Sequence, residues 1–260
     1  MDLGIRGKIA VVCGGSRGIS YAAAHRLASE GATVTLVART RATLEEAART
    51  LSTAANTEVT FVATDLTTQS GRAALLEARP DADILITNSG VPQRNVPFQQ
   101  LTRKDWDYWL EAHFFAVIEL IYGYVPGMMQ RRFGRIVNVS VSFIKFPQVQ
   151  VGHSHAARLA LAGAIASLVR EVAPYNVTIN SVLPGLVNTE ASRNAFRERA
   201  AALNVSYESL VAEISKRPAA GRISEPEEAG DLIAMLAASQ MGFVTGQNIV
   251  NDGGQYQGIF

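Results

Sequence analysis

Residues 8–20, KIAVVCGGSRGIS, join a short apolar run to a glycine turn and then to a helix-forming stretch. Ile9 to Val12 reads as a strand buried on both faces. Gly14, Gly15 and Gly18 supply the turn, and Ile19 to Ala28 the helix. A strand, a glycine turn and a helix N-terminus form an anion site, because unpaired backbone N–H groups and the positive end of the helix dipole face the turn. Glycine lets a pyrophosphate approach the backbone closely. An ordinary strand-to-helix turn is the plainer reading of the same residues.

The chain beyond it alternates between strand and helix signals. Thr33–Ala38, Val59–Ala63, Ala82–Thr87, Arg135–Ser140, Val177–Val182 and Asn248–Val250 read as strands. Ala42–Ala55, Ser70–Ala78, Arg103–Arg131, His153–Ala173 and Glu227–Ala238 read as helices, the third with a bend expected near Pro126. This alternation predicts an α/β fold: a doubly wound parallel sheet of about seven strands, with right-handed crossovers and helices on both faces. No repeat or linker divides the chain, so residues 1–260 are expected to form one domain. The insert at 188–222 is the exception to tight packing and is expected to act as a mobile substrate lid.

A net charge of +1 gives no electrostatic reason to expect nucleic acid or an anionic membrane. No apolar run approaches the roughly 20 residues of a membrane span. The N-terminus, MDLGIRGKIA, runs into the first strand with no room for a signal peptide. Cys13 is the only cysteine, which excludes an intrachain disulfide and a cysteine metal cluster. A soluble cytoplasmic protein is the expectation.

Several motifs in order carry a resemblance. The turn around Gly14–Ser20 is similar to a Thr-Gly-x-x-x-Gly-x-Gly pattern, with Cys13 for Thr and Ser20 for the last Gly, a change expected to loosen the fit of a cofactor. Thr64-Asp65-Leu66 follows the third strand, and Thr87-Asn88-Ser89-Gly90 is similar to an Asn-Asn-Ala-Gly turn. Ile179-Asn180-Ser181-Val182-Leu183-Pro184-Gly185 and the C-terminal Asp252-Gly253-Gly254 complete the set. Together they resemble the short-chain dehydrogenase/reductase family, near its 3-oxoacyl-ACP-reductase-like members, and imply a Rossmann-type fold. The resemblance implies cofactor contacts at Gly14, Ser16, Arg17, Gly18, Ile19, Arg39, Asp65, Leu66, Asn88, Gly90, Arg158, Pro184, Gly185, Val187 and Thr189. Asp65 would meet the adenine amine, and the turn ending at Thr189 the nicotinamide carboxamide.

The end of the second strand bears on cofactor choice. An acid about 20 residues past a glycine turn holds a ribose 2′-OH, and a basic residue there accommodates a 2′-phosphate. Here the strand ends Val37-Ala38-Arg39-Thr40-Arg41 without an acid, and Arg17 adds a second cation. Arginine suits phosphate through its planar fork. NADP(H) is expected over NAD(H), the alternative being that both arginines merely face solvent.

The resemblance breaks at the family's Asn-Ser-Tyr-Lys residues. Those positions fall on His113, Val141, Ser154 and Arg158, and no lysine has a tyrosine four residues earlier. Ser154 and Arg158 share a helix face. Arg158 could hold ribose hydroxyls and stabilise an alkoxide. A serine is too weak an acid to replace tyrosine, so the proton donor is sought among His113, His153 and His155, with Ser140 and Ser142 as hydrogen-bond sources beside Val141. His25 reads as a surface residue, and His153 and His155 equally as helix-start polar residues. No metal is expected, since no acidic or cysteine cluster accompanies the histidines.

Three functions remain open: an NADP(H)-dependent oxidoreductase acting on a small carbonyl or alcohol substrate, a nucleotide-binding pseudoenzyme or regulatory subunit, and a non-redox lyase or dehalogenase-like enzyme. The third is disfavoured because the family's halohydrin dehalogenases keep Ser and Tyr and have lost the dinucleotide turn, the reverse of this chain. A homodimer or homotetramer is expected through the two long helices. Phe98, Trp109, Phe143, Phe146 and Phe196 suggest an apolar pocket.

Overall fold

The computed structural model describes residues 2–90 and 95–259. Among these, seven strands form one parallel sheet in the order β3-β2-β1-β4-β5-β6-β7. The strands are β1 (Ile9–Cys13), β2 (Thr33–Ala38), β3 (Val59–Ala63), β4 (Ile84–Thr87), β5 (Gly134–Val139), β6 (Val177–Pro184) and β7 (Asn248–Asn251). β1 pairs with β2 on one side and β4 on the other, so the winding reverses beside it. That reversal opens a crevice at the C-terminal ends of the central strands.

Helices cover both faces because the central strands bury residues of both pleat directions. On one side α1 (Gly18–Ser29), α2 (Arg41–Ala55) and α9 (Pro226–Leu236) lie on a core containing Val12, Leu27, Leu36, Leu44, Ile86 and Ile233. On the other, α3 (Gln69–Ala78), α5 (Ala116–Arg131) and α6 (Gly152–Val172) enclose Val11, Leu75, Leu85, Ile121, Ile136 and Leu161. α1 and α9 approach so closely that a Cβ on Gly230 would sit 2.8 Å from the Ala22 backbone.

The helix expected over Arg103–Arg131 is not uniform. α4 (Arg103–Leu110) starts at a Thr102–Asp105 capping box, a π turn spans Glu111–Phe115, and α5 follows. The irregularity therefore lies at the π turn, and Pro126 sits inside α5 without ending it. The buried rows explain why. Trp109, His113, Val117, Ile121 and Val125 recur every four residues, as do Ala112, Ala116, Leu120, Tyr124 and Met128. In a 3.6-residue helix such rows drift by about 40° per step. One wider turn absorbs the drift. By length and composition this helix reaches the threshold for a membrane span, which a search for unbroken apolar runs misses, yet 56% of its most apolar window is buried within the protein.

The 188–222 insert folds as α7 (Glu190–Leu203) and α8 (Tyr207–Ser215), packed together through Phe196, Ala200, Leu210 and Ile214.

Arg135 at the start of β5 is fully buried and pins the base of the sheet. Its guanidinium donates to the carbonyls of Gly134, Asn176, Ala238 and Ser239 and lies 4.5 Å from the Phe133 ring centre. Arg135→Met strips donors from several buried carbonyls, and we expect unfolding stability to fall by roughly 2–4 kcal/mol. Urea denaturation reads this as a lower midpoint at constant m. An unmoved midpoint would show that those carbonyls do not depend on Arg135.

Candidate functional site

A cavity of about 550 Å³ occupies the crevice, running from Arg39 and Asp65 past Gly14 and Asn88 to Arg158 and Thr189. Gly14 and Gly18 hold φ of +66° and +64°, a region that a side chain resists. No side chain caps the start of α1, whereas Thr189 caps α7 by accepting from the Ser192 N–H. The first turn of α1 thus keeps its N–H groups for a ligand. Ser16, Arg17, Gly18 and Ile19 line the same cavity. Ser20, the residue expected to loosen the fit, is buried and takes a 3.0 Å hydrogen bond from the Asn88 amide. It joins the glycine turn to the β4 loop. Cys13 behind it is buried, which pushes its thiol up to about 12 against an opposing pull from the Asn88 backbone.

At the β2–β3 end, Asp65 accepts from the Thr67 N–H at 3.0 Å and the Thr67 hydroxyl at 2.8 Å. Burial opposes its charge, but these bonds and the Arg39 cation hold its carboxyl below the usual range. Leu66 and Gly90 line the cavity. The two arginines expected at the phosphate differ in state. Arg39 is exposed and makes no hydrogen bond or ion pair among the described residues, while Arg17 pairs with Glu190 of α7 at 2.9 Å. The uncapped α1 turn, the positive-φ glycines and the open Arg39 together fit a dinucleotide carrying a 2′-phosphate.

At the other end, Ser89, Val141 and Arg158 line the cavity, and His113 lies one layer behind them. The His113 ring stacks on Trp109 with centroids 5.1 Å apart. Its Nδ1 is 2.7 Å from the Ser89 hydroxyl and its Nε2 is 3.5 Å from an Arg158 NH2 group. Arg72 fixes the start of the π turn, donating to Glu111 at 2.8 Å, Glu119 at 2.7 Å and the Leu66 carbonyl at 2.9 Å. Burial, then Arg158, then His153 press the His113 imidazole down to about 2, and the same causes lower His155. This corrects the expectation of a donor titrating near neutrality: a histidine buried beside a guanidinium stays neutral. Burial also brings Arg158 down to about 10, which leaves it charged at neutral pH. Its Nε is buried without a hydrogen-bond partner among the described residues.

The remaining expected residues divide. Ser154 and His155 are buried in the first turn of α6 and Ser142 opens a short 3₁₀ turn after β5; none of the three lines the cavity. The Ser142 hydroxyl is buried and has no hydrogen-bond partner among the described residues. Pro184, Gly185 and Val187 shape backbone: a Cβ on Gly185 would lie 2.6 Å from Asp252, and Val187 bridges to Ser224. Of that stretch Thr189 reaches the cavity, against Gly18. None of the aromatic residues expected at an apolar pocket lines this cavity. Trp109 is stacked internally, Phe143 and Phe146 pack edge to face, Phe196 joins the α7–α8 cluster, and Phe98 faces solvent. Ser89, Thr67 and Glu190 were not singled out from sequence. Among the described residues no group of three His, Cys, Asp or Glu side chains could hold a metal.

Comparison with known proteins matches this fold. The profile of the family described as short chain dehydrogenase matches residues 8–200. The 3-oxoacyl-[acyl-carrier-protein] reductase FabG of Vibrio cholerae is 31% identical over 98% of this chain and 99% of its own length. L-sorbose reductase from Gluconobacter frateurii, solved with NADPH and L-sorbose, superposes with a TM-score of 0.94 at 29% identity, covering 100% of both chains. A 3-oxoacyl (acyl-carrier-protein) reductase from Agrobacterium tumefaciens, solved with NADP bound, gives a TM-score of 0.87 at 30% identity over 97% of this chain and 96% of that one.

Proposed function

This chain belongs to the short-chain dehydrogenase family, and we propose that it is an NADP(H)-dependent oxidoreductase interconverting a small carbonyl compound and its alcohol in a rebuilt catalytic site. The observation that carries this is the single cavity linking the open Arg39 to the charged Arg158. NADPH, when bound, supplies the hydride. The α1 N-terminus and the glycine turn hold the pyrophosphate, Arg39 the 2′-phosphate, and Asp65 and Asn88 the adenosine side. Arg158 stands where the family places its lysine; it orients the ribose and stabilises the developing alkoxide. With His113 and His155 neutral, the alkoxide stays paired with Arg158 and takes its proton from solvent on release.

The test is NADPH oxidation followed at the nicotinamide absorbance against a panel of ketoses and 3-oxoacyl thioesters, the substrates named for the relatives above. Oxidation that requires one substrate supports the reading. A second reading, nucleotide binding without hydride transfer, is favoured by the loss of the family's serine hydroxyl at Val141 and of its tyrosine phenol at Ser154. Tight NADPH binding with no substrate-dependent oxidation across the panel would select it.

The chain also exposes Tyr108, Phe115 and Tyr122 along the α4–α5 helix and Leu159 on α6. An exposed apolar stripe of this kind marks a protein contact. We propose self-association through this face, as a homodimer or homotetramer. Light scattering on Phe115→Glu/Tyr122→Glu is expected to give monomer, and an unchanged mass would place the contact elsewhere.

A further inference from the structure

We propose that Ser89 is a positioning residue that holds the His113 imidazole in the tautomer that accepts from Arg158 and, through it, aims the Arg158 guanidinium into the cleft. Three elements contribute: Ser89 from the loop after β4, His113 from the π turn, and Arg158 from α6. Arginine can only donate, so His113 Nε2 accepts from Arg158 across their 3.5 Å contact. Nδ1 then carries the proton and donates to the Ser89 hydroxyl at 2.7 Å. Stacking on Trp109 keeps the ring from turning. The loop itself is anchored, because Asn88 donates to Ser20 and accepts from the Gly90 N–H. The Ser89 hydroxyl proton is left for the cleft, which this side chain lines.

The three residues stand at three departures from the family pattern, Ser for Ala in the Asn-Asn-Ala-Gly turn, His for Asn and Arg for Lys. Independent drift has no reason to bring a hydroxyl, an imidazole and a guanidinium into line. Without an acceptor at residue 89, a buried Nδ1–H would go unpaired, and the ring would shift its proton to Nε2. An Nε2–H facing a guanidinium N–H sets two donors against each other and displaces Arg158.

The experiment is a long-range ¹H–¹⁵N spectrum of the full-length protein, which has four histidines to assign, with His113→Gln identifying the signal. The Nδ1–H tautomer is expected in the native protein. Ser89→Ala is expected to abolish it, and Ser89→Thr, which keeps the hydroxyl, to retain it. A His113 signal that keeps the Nδ1–H pattern in Ser89→Ala overturns the proposal. The kinetic arm rests on the hydride-transfer reading: kcat is expected to fall about tenfold in Ser89→Ala with KM little changed, the size of one lost hydrogen bond, and to recover in Ser89→Thr. A tautomer lost in Ser89→Ala with kcat unaltered overturns the aiming of Arg158. Absence of turnover in the native protein overturns hydride transfer alone, and the spectrum still decides the role of Ser89.

Discussion

Arg39→Asp is expected to weaken NADPH binding by about a hundredfold or more while leaving NADH binding unchanged or tighter. Arg39 follows β2 at the mouth of the cavity, exposed and without a hydrogen bond among the described residues, beside an Asp65 that its charge already stabilises. A guanidinium on a phosphate dianion forms charge-assisted, bidentate hydrogen bonds, worth roughly 1.5–3 kcal/mol each. The substitution removes that attraction and replaces it with repulsion, and it restores the acid that grips a free ribose 2′-OH. Arg17 does not compensate as it stands, since its guanidinium is engaged by Glu190. Side-by-side titration by nicotinamide fluorescence gives both constants. An unaltered NADPH-to-NADH ratio would remove Arg39 from cofactor choice.

Arg158→Met is expected to lower kcat by at least about a hundredfold with only a few-fold rise in the dissociation constant of NADPH. The ground state has many contacts along the cavity, from the α1 turn to Asp65, whereas the developing alkoxide has one cation to face. An interaction made chiefly in the transition state acts on kcat. Methionine keeps the apolar stem and removes the charge. The same change relieves one of the forces holding His113 down, so its imidazole rises, though burial, the larger cause, keeps it below the ordinary histidine value. An Arg158→Met enzyme that turns over normally would assign the alkoxide to another group.

The sheet was legible because the central strands are apolar enough to be buried and the connections carry glycine, proline or capping residues. The glycine turn, Asp65, Asn88 and Arg39 line one cavity, and that shared placement was legible for the same reason: each sits at or just past a strand end. What depends on packing between distant segments was not. Ser20 looks like a defect in a glycine pattern until Asn88 is seen across from it, 68 residues away. The state of Arg17 is set by Glu190, 173 residues on. The histidines looked suited to acid–base work on their ordinary titration, which burial beside Arg158 overrides. The π turn did leave a trace, in apolar rows spaced by four from Trp109 to Val125. A search for 3.6-residue periodicity passes over it.

That turn also makes the length of the chain part of the site. Deleting one residue between Glu111 and Phe115 would let the segment wind as plain α-helix with its flanks nearly in register, and would take His113 off the wider turn that carries it to Ser89 and Arg158. Deleting one elsewhere in α4 or α5 would swing one side by about 100° against the other and turn part of a buried row to solvent. Descendants of this sequence can therefore lose a residue within the π turn at the cost of the site alone, and outside it only at the cost of the fold.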